Sequence, residues 1–159
     1  MIAAVGRNFE IGHNNGLPWK CPKDLVLFKQ LTHGFPVMMG IKTANSLRRP
    51  LEGRKNIVLI RRFNLHIPFG FHMATLHEAL RRYQHGWVIG GGVIYEALLP
   101  HVNEIWLTHI DIEAQEADTF FPFEAMEKLG FKPVETMVDF AGDENNPPFK
   151  QIVYRLSKQ

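Results

Sequence analysis

Trp87-Val88-Ile89-Gly90-Gly91-Gly92-Val93-Ile94-Tyr95-Glu96-Ala97-Leu98-Leu99-Pro100 holds a short apolar run, three glycines and a second apolar segment closed by proline. The first run reads as a buried strand. The second reads as a helix that Pro100 stops, because proline lacks the N–H that a continuing helix needs. The same design recurs at Met38-Met39-Gly40-Ile41-Lys42-Thr43. A helix start offers unpaired backbone N–H groups and glycine lets an anion approach them, so each turn can seat a phosphate. Glycine at a strand end is also an ordinary turn, and neither stretch has the spaced-glycine dinucleotide fingerprint.

Outward from these turns the chain alternates strands with helices. Ile2 to Val5 reads as a first strand, and Arg7 to Trp19 as a long loop whose turn chemistry sits at Asn15-Gly16. A helix follows from Pro22 to about His33-Gly34, then strands at Pro36 to Met39 and Asn56 to Ile60. Thr43 is placed to cap a short helix through Leu47. Phe63 to Ala74 reads as irregular chain with a short strand. Thr75-Leu76-His77-Glu78 has the capping-box pattern and predicts a helix to about Gln84. A strand at Glu104 to Ile110 and a short helix near Phe123 to Leu129 come next. Lys132 to Phe140 and Phe149 to Leu156 then form a hairpin around a polar break. This order predicts an α/β fold with a mixed, mostly parallel central sheet, flanking helices and an antiparallel C-terminal hairpin.

With 159 residues, 45% of them hydrophobic, the chain is long enough for one domain with one core. A net charge of +2 is too small to argue for nucleic acid or an anionic membrane. Cys21 is the only cysteine, so no intrachain disulfide can form, which fits a reducing compartment. The N-terminus lacks a targeting pattern and no segment approaches a membrane span, so a soluble, cytoplasmic protein is expected. The eight histidines show no zinc-type pairing, and no metal site is expected. A nucleophilic Cys21 would need an activating base, and its place beside Pro22 fits a packed helix start better.

The helix from Pro22 carries one anomaly. At roughly 100° per residue, Leu27, Leu31, Asp24, Phe28 and Leu25 fall in that order across one arc. Asp24 therefore lies in the middle of the apolar face. An acid in the first turn complements the helix dipole. A carboxylate aimed into a pocket instead would be poorly solvated, would hold its proton more tightly and would bind a partner offering N–H donors. Lys42, Arg61 and Arg62 follow neighbouring strands and, with the two glycine turns, suit a ligand carrying several phosphates. Solvated surface arginines are the alternative.

Separated blocks in this sequence are similar to those of bacterial dihydrofolate reductases. They are Ile2-Ala3-Ala4, Leu17-Pro18-Trp19, Asp24-Leu25, Phe28, Pro36 to Gly40, Arg49-Pro50-Leu51, Gly53-Arg54-Lys55-Asn56, Ile89 to Tyr95, Leu107-Thr108-His109-Ile110 and Asp118-Thr119 with Phe121-Pro122. The resemblance covers nearly the whole chain and implies a single dihydrofolate reductase-like domain over 1–159. It implies reduction of 7,8-dihydrofolate to tetrahydrofolate by NADPH, feeding one-carbon metabolism, in a monomer that antifolates inhibit. Hydride would reach pterin C6 and a proton N5. The catalytic group implied is Asp24 with Thr108, Trp19 and Leu17. The implied substrate contacts add Ile2, Leu25, Phe28, Ser46, Leu47, Arg49, Leu51, Arg54, Ile89 and Tyr95, with Arg54 gripping a carboxylate in two places.

The implied cofactor contacts are Ala4, Ile11, Gly12, Asn15, Gly16 and Leu17 in the first strand and a closing loop. Further along come Gly40, Lys42, Thr43, Leu59, Ile60, Arg61, Arg62, Ile89, Gly90, Gly91, Gly92, Val93, Ile94 and Tyr95. A cis Gly90–Gly91 peptide is common in the family. This chain departs from the family at Cys21, Ile41, Ala44, Ile60 and Val93, most of them at the cofactor's far end. Its short N-terminus suggests a weaker first strand. A pyrimidine reductase of flavin synthesis shares the fold and the nicotinamide chemistry, but Trp19, Asp24 and Arg54 argue against it. A non-catalytic pterin-binding module predicts binding without cofactor oxidation.

Overall fold

The computed structural model describes residues 1–62 and 65–157. Among them are ten strands and five helices, which follow the predicted order except for two unpredicted strands, the second and the eighth: β1 (Ile2–Val5), β2 (Glu10–Gly12), α1 (Pro22–Thr32), β3 (Val37–Met39), α2 (Ile41–Leu47), β4 (Asn56–Leu59) and β5 (His72–Ala74). Next are α3 (Leu76–Arg82), β6 (Trp87–Gly90), α4 (Gly92–Leu98), β7 (Glu104–Ile110), β8 (Thr119–Phe120), α5 (Phe123–Lys128), β9 (Phe131–Phe140) and β10 (Phe149–Leu156). Pro100 lies in a 3-10 turn, Leu99–His101, that ends α4 as expected. Phe63, where the irregular stretch was expected to begin, is outside the described residues. Its other end is the short strand β5.

The strands form two four-stranded ladders, β5-β4-β3-β6 and β1-β7-β10-β9, and a small β2–β8 pair. The first ladder is wholly parallel, and β1 runs parallel to β7. The hairpin strands β9 and β10 are antiparallel, as is the β10–β7 pair. Strands buried on both faces read as continuous apolar runs, and Val37, Met39, Ile57 and Val58 are fully buried. β1 pairs with β7 along its whole length, so the first strand is fully formed and not weakened as expected.

The α/β fold with its mostly parallel sheet and antiparallel hairpin is as expected, and the two ladders meet side by side at β1 and β6. Tyr95, on α4 and almost completely buried, sits across that seam. Its hydroxyl is within donating distance of Ile2 O at 2.8 Å and of Ile89 O at 2.9 Å. Tyr95→Phe is expected to lower stability by about 1–3 kcal/mol, because a carbonyl at the seam would lose its donor. Urea unfolding at constant m-value measures this.

Two local expectations are corrected. Thr43 does not cap α2: the helix starts at Ile41 with Gly40 at its cap, and the Gly40 N–H goes to Gly90 O at 2.8 Å. Strand pairing with β6 thus sets the start. The turn in the first loop is centred on Asn14 and Asn15, both at positive φ, with His13 and Gly16 exchanging backbone hydrogen bonds. Asparagine tolerates that conformation, so both asparagines are used and Gly16 only closes the turn. The capping box at Thr75 and Glu78 forms as predicted.

Candidate active site

Asp24 is 8% exposed on the first turn of α1. Burial pushes its carboxyl pKa up, opposed by the influence of the Thr108 side chain of β7. The apolar arc around it is only part-covered, with Leu27, Phe28 and Leu31 half-buried and Leu25 51% exposed. A buried carboxyl beside part-covered apolar side chains can serve a ligand as an acceptor, and is not only a partner of the helix dipole. Cys21, at the cap of α1, offers no side-chain cap. Asn146 from the β9–β10 loop does so instead, its Oδ1 accepting from Lys23 N at 2.8 Å. Burial pushes the Cys21 thiol pKa up, as suits a packed residue and not a nucleophile.

One and two turns along the same face lie Phe28 and Thr32. The Arg54 guanidinium stands over the Phe28 ring, 5.8 Å from its centroid, and donates through Nη1 to Thr32 Oγ1 at 3.0 Å. Its Nε donates to Glu52 O at 3.0 Å, so one edge of the fork is fixed to protein. Partial burial lowers the Arg54 pKa against the pull of Glu52, and a guanidinium stays charged regardless. The turn is pinned by buried Asn56, which accepts from Leu51 N and donates to Leu51 O and Arg54 O. Gly53 has φ +72°, and a Cβ there would fall 2.2 Å from His33 Nε2. Leu47 and Leu51 are half-buried nearby in chain, Arg49 is exposed, and the Ser46 hydroxyl is turned back onto Thr43 O at 2.7 Å.

The two glycine turns come together. Met39 pairs with Gly90, and the Gly90–Gly91 peptide is cis. A Cβ on Gly91 would lie 3.5 Å from Thr43 Oγ1, so the starts of α2 and α4 are neighbours. In α2 the first intrahelical bond runs from Ala44 N to Gly40 O, leaving the N–H groups of Ile41, Lys42 and Thr43 ahead of it. Lys42, Arg61, Arg62 and Val93 are exposed, Gly92 and Ile94 are half-buried, and Gly90 is buried. Ile60 packs into the core with Val37, Met39 and Val58, so only its backbone can face a ligand, and Leu59 packs against the other core cluster.

The first loop is not featureless, since it contains β2 paired with β8. Asp118 Oδ2 accepts from Asn14 N at 2.9 Å, and Asp118 N donates to Gly12 O at 2.9 Å. Ile11 reaches the start of α4, its Cδ1 lying 3.9 Å from where a Gly92 Cβ would stand. Asn15, Gly16 and Leu17 are exposed, while Trp19 packs against the cluster of Cys21, Ile110 and Phe149. Ala4 is half-buried on β1 and opposite Thr108. Thr32, Asn146 and Gln151 were not singled out from sequence, and Asn56 and Asp118 stand there within the resembling blocks, without a role. Only Gln151 left a local signal, as a polar residue at an inward step of an alternating strand.

These features define an α/β protein with a buried acceptor, a fixed guanidinium along the same helix and a paired set of helix starts. The dihydrofolate reductase family model matches residues 1–156. The chain is 37% identical over 150 residues to a type 3 dihydrofolate reductase of Salmonella typhimurium, covering 92% of this chain and 90% of that one. It is 39% identical over 124 residues to the dihydrofolate reductase of Haemophilus influenzae, covering 77% of each. Among solved structures, Enterococcus faecalis dihydrofolate reductase complexed with NADP(H) and RAB-propyl aligns with a TM-score of 0.88 at 29% identity. That alignment covers 99% of this chain and 95% of the other. The chain belongs to the dihydrofolate reductase family.

Proposed function

We infer that this protein reduces 7,8-dihydrofolate to 5,6,7,8-tetrahydrofolate with NADPH. The observation that carries this is the face of α1. Asp24 at one end and Thr32, which holds Arg54, eight residues later are separated by about 12 Å of helix rise. That span, with Phe28 between, suits a flat donor-rich ring at one end and a carboxylate at the other. Asp24 accepts from the pterin amino group and ring N–H, braced by Thr108. Its burial lets it hold a proton at higher pH than an ordinary aspartate, which suits a group concerned with protonation at N5. Arg54 grips the glutamate α-carboxylate with its outer edge, with Arg49 a secondary contact. Ile2, Leu25, Leu47, Leu51, Ile89 and Tyr95 wall the ring, with Ser46 at the rim and Leu17 and Trp19 beside the acid.

The residues present fit the cofactor. Two adjacent helix starts opened by Gly40 and Gly91 offer backbone N–H groups to a pyrophosphate, and Lys42, Thr43, Arg61 and Arg62 supply side chains. Gly90, Gly92, Val93, Ile94, Leu59 and the Ile60 backbone border that seat. Ala4 and Ile11 hold the carboxamide, and the loop bearing Gly12, Asn15 and Gly16 closes over it. When bound, NADPH supplies the hydride for C6. The test is NADPH absorbance on mixing with dihydrofolate: oxidation that an antifolate stops supports the reading, and binding without oxidation overturns it. Replacing Arg61 and Arg62 by alanine is expected to raise KM for NADPH roughly tenfold or more while leaving NADH nearly unchanged. Equal losses in steady-state kinetics would refute a 2′-phosphate contact.

We propose that the chain works as one domain and as a cytoplasmic monomer. The family match spans it nearly end to end, and among the described residues no helix is long and apolar enough to cross a membrane. Sedimentation checks the monomer.

A further inference from the structure

Gln151 lies on β10 between the core-facing Phe149 and Val153, and it is 2% exposed. It is the register partner of Thr108 on β7, which pairs on its other side with Ala4 of β1. Gln151 Nε2 donates to Thr108 Oγ1 at 3.3 Å. A threonine hydroxyl carries one proton and two lone pairs, and alone it can turn that proton toward any acceptor in reach. Donation from Gln151 occupies a lone pair and leaves the proton free to turn toward Asp24, the carboxyl whose titration the Thr108 side chain influences. It also polarises the hydroxyl, which strengthens the outgoing bond. The same argument fixes the amide: an oxygen whose proton is committed to Asp24 must be met by Nε2 and not by Oε1. A long polar side chain at an inward strand position costs desolvation that an apolar residue would avoid, so its use is to be sought in this bond.

We propose that Gln151 is a positioning residue for the Asp24 site, holding the Thr108 hydroxyl with its proton toward Asp24 so that the carboxylate is kept as an acceptor for ligand N–H donors. The consequence for substrate rests on the reading of Asp24 as the pterin anchor; the relay itself does not. The titratable groups that feel Asp24 are the Cys21 thiol at the cap of α1 and the Tyr95 phenol on α4. Burial raises the pKa of both, so both stay neutral while Asp24 titrates. A donor to the carboxylate favours its charged form, so releasing the Thr108 hydroxyl raises the Asp24 midpoint.

The experiment follows the Asp24 carboxyl by carbon NMR against pH in the ligand-free full chain. The variants are Gln151→Met, which keeps the shape without the donor, Gln151→Leu as a second apolar replacement, Thr108→Val, and Thr108→Val with Gln151→Met. Gln151→Met is expected to raise the midpoint by about half a unit, roughly threefold in the ionisation equilibrium, and Thr108→Val by more. In the Thr108→Val background the Gln151 change should have no further effect. In the active enzyme Gln151→Met should raise KM for dihydrofolate about threefold, the same equilibrium factor, more than it changes kcat. An unchanged Asp24 midpoint with a lower melting temperature identifies a packing role and overturns the proposal. So does a Gln151→Met shift that is equally large in the Thr108→Val background. The titration needs neither substrate nor cofactor, so wild-type protein inactive on dihydrofolate would overturn the functional reading while leaving the relay to be judged by NMR.

Discussion

Asp24→Asn is expected to lower kcat for dihydrofolate reduction by about 10²–10⁴-fold at neutral pH, the range associated with loss of a positioned acid–base group. Asparagine keeps the size and one acceptor but cannot carry the charge that the pterin's donors need. Stability should move the opposite way. Burial raises the Asp24 pKa above its unfolded value, so the folded chain binds more protons than the unfolded chain in the window between the two. Stability contributed by this group therefore falls as pH rises through that window, and above it the buried charge is a standing cost. Asp24→Asn removes that cost, so the urea midpoint should rise at pH 7, with the gain disappearing below the ordinary carboxylate range. A variant with wild-type kcat would sink the assignment of Asp24, and a lower midpoint at pH 7 would contradict its desolvation. Activity lost while stability is gained is the signature of a residue kept for function.

The second large effect concerns Arg54. Arg54→Lys is expected to raise KM for dihydrofolate about 10²-fold with kcat changed far less, because two charge-assisted bonds with fixed geometry become one mobile contact. Lysine also leaves Thr32 Oγ1, in a residue with no exposed surface, without the guanidinium donor it now has. Steady-state kinetics distinguishes this from a catalytic role: an effect confined to kcat would refute carboxylate capture. A shortened substrate lacking the glutamate should be reduced equally well by both proteins, since the contact being lost is remote from the ring.

Much of this was legible in the residues themselves. Apolar runs such as Asn56 to Ile60 and Glu104 to Ile110 define strands because a buried strand needs no alternation, and β7 and β10 fall where the sequence places them. The capping box at Thr75 is a wholly local device and forms where its pattern puts it. The arc on α1 placed Asp24 among leucines and Phe28, and the structure leaves it buried there. By contrast, β2 and β8 have three and two residues, too few for any period, and exist because they pair with each other. Thr43 and the Asn14–Asn15 turn were misplaced by local rules that strand pairing overrode.

The sequence by itself determined the order of elements, the acid on an apolar face, the two glycine turns and the family, since each is written in neighbouring residues or in blocks of fixed spacing. Only the tertiary structure decided which groups answer one another: Gln151 behind Thr108, Thr32 under Arg54, Asn146 capping α1 from 123 residues away, and Tyr95 across the seam of two ladders. The reason is physical. A periodic pattern records which face is buried, but a hydrogen bond between distant strands leaves no period, only a polar side chain where an apolar one would have served.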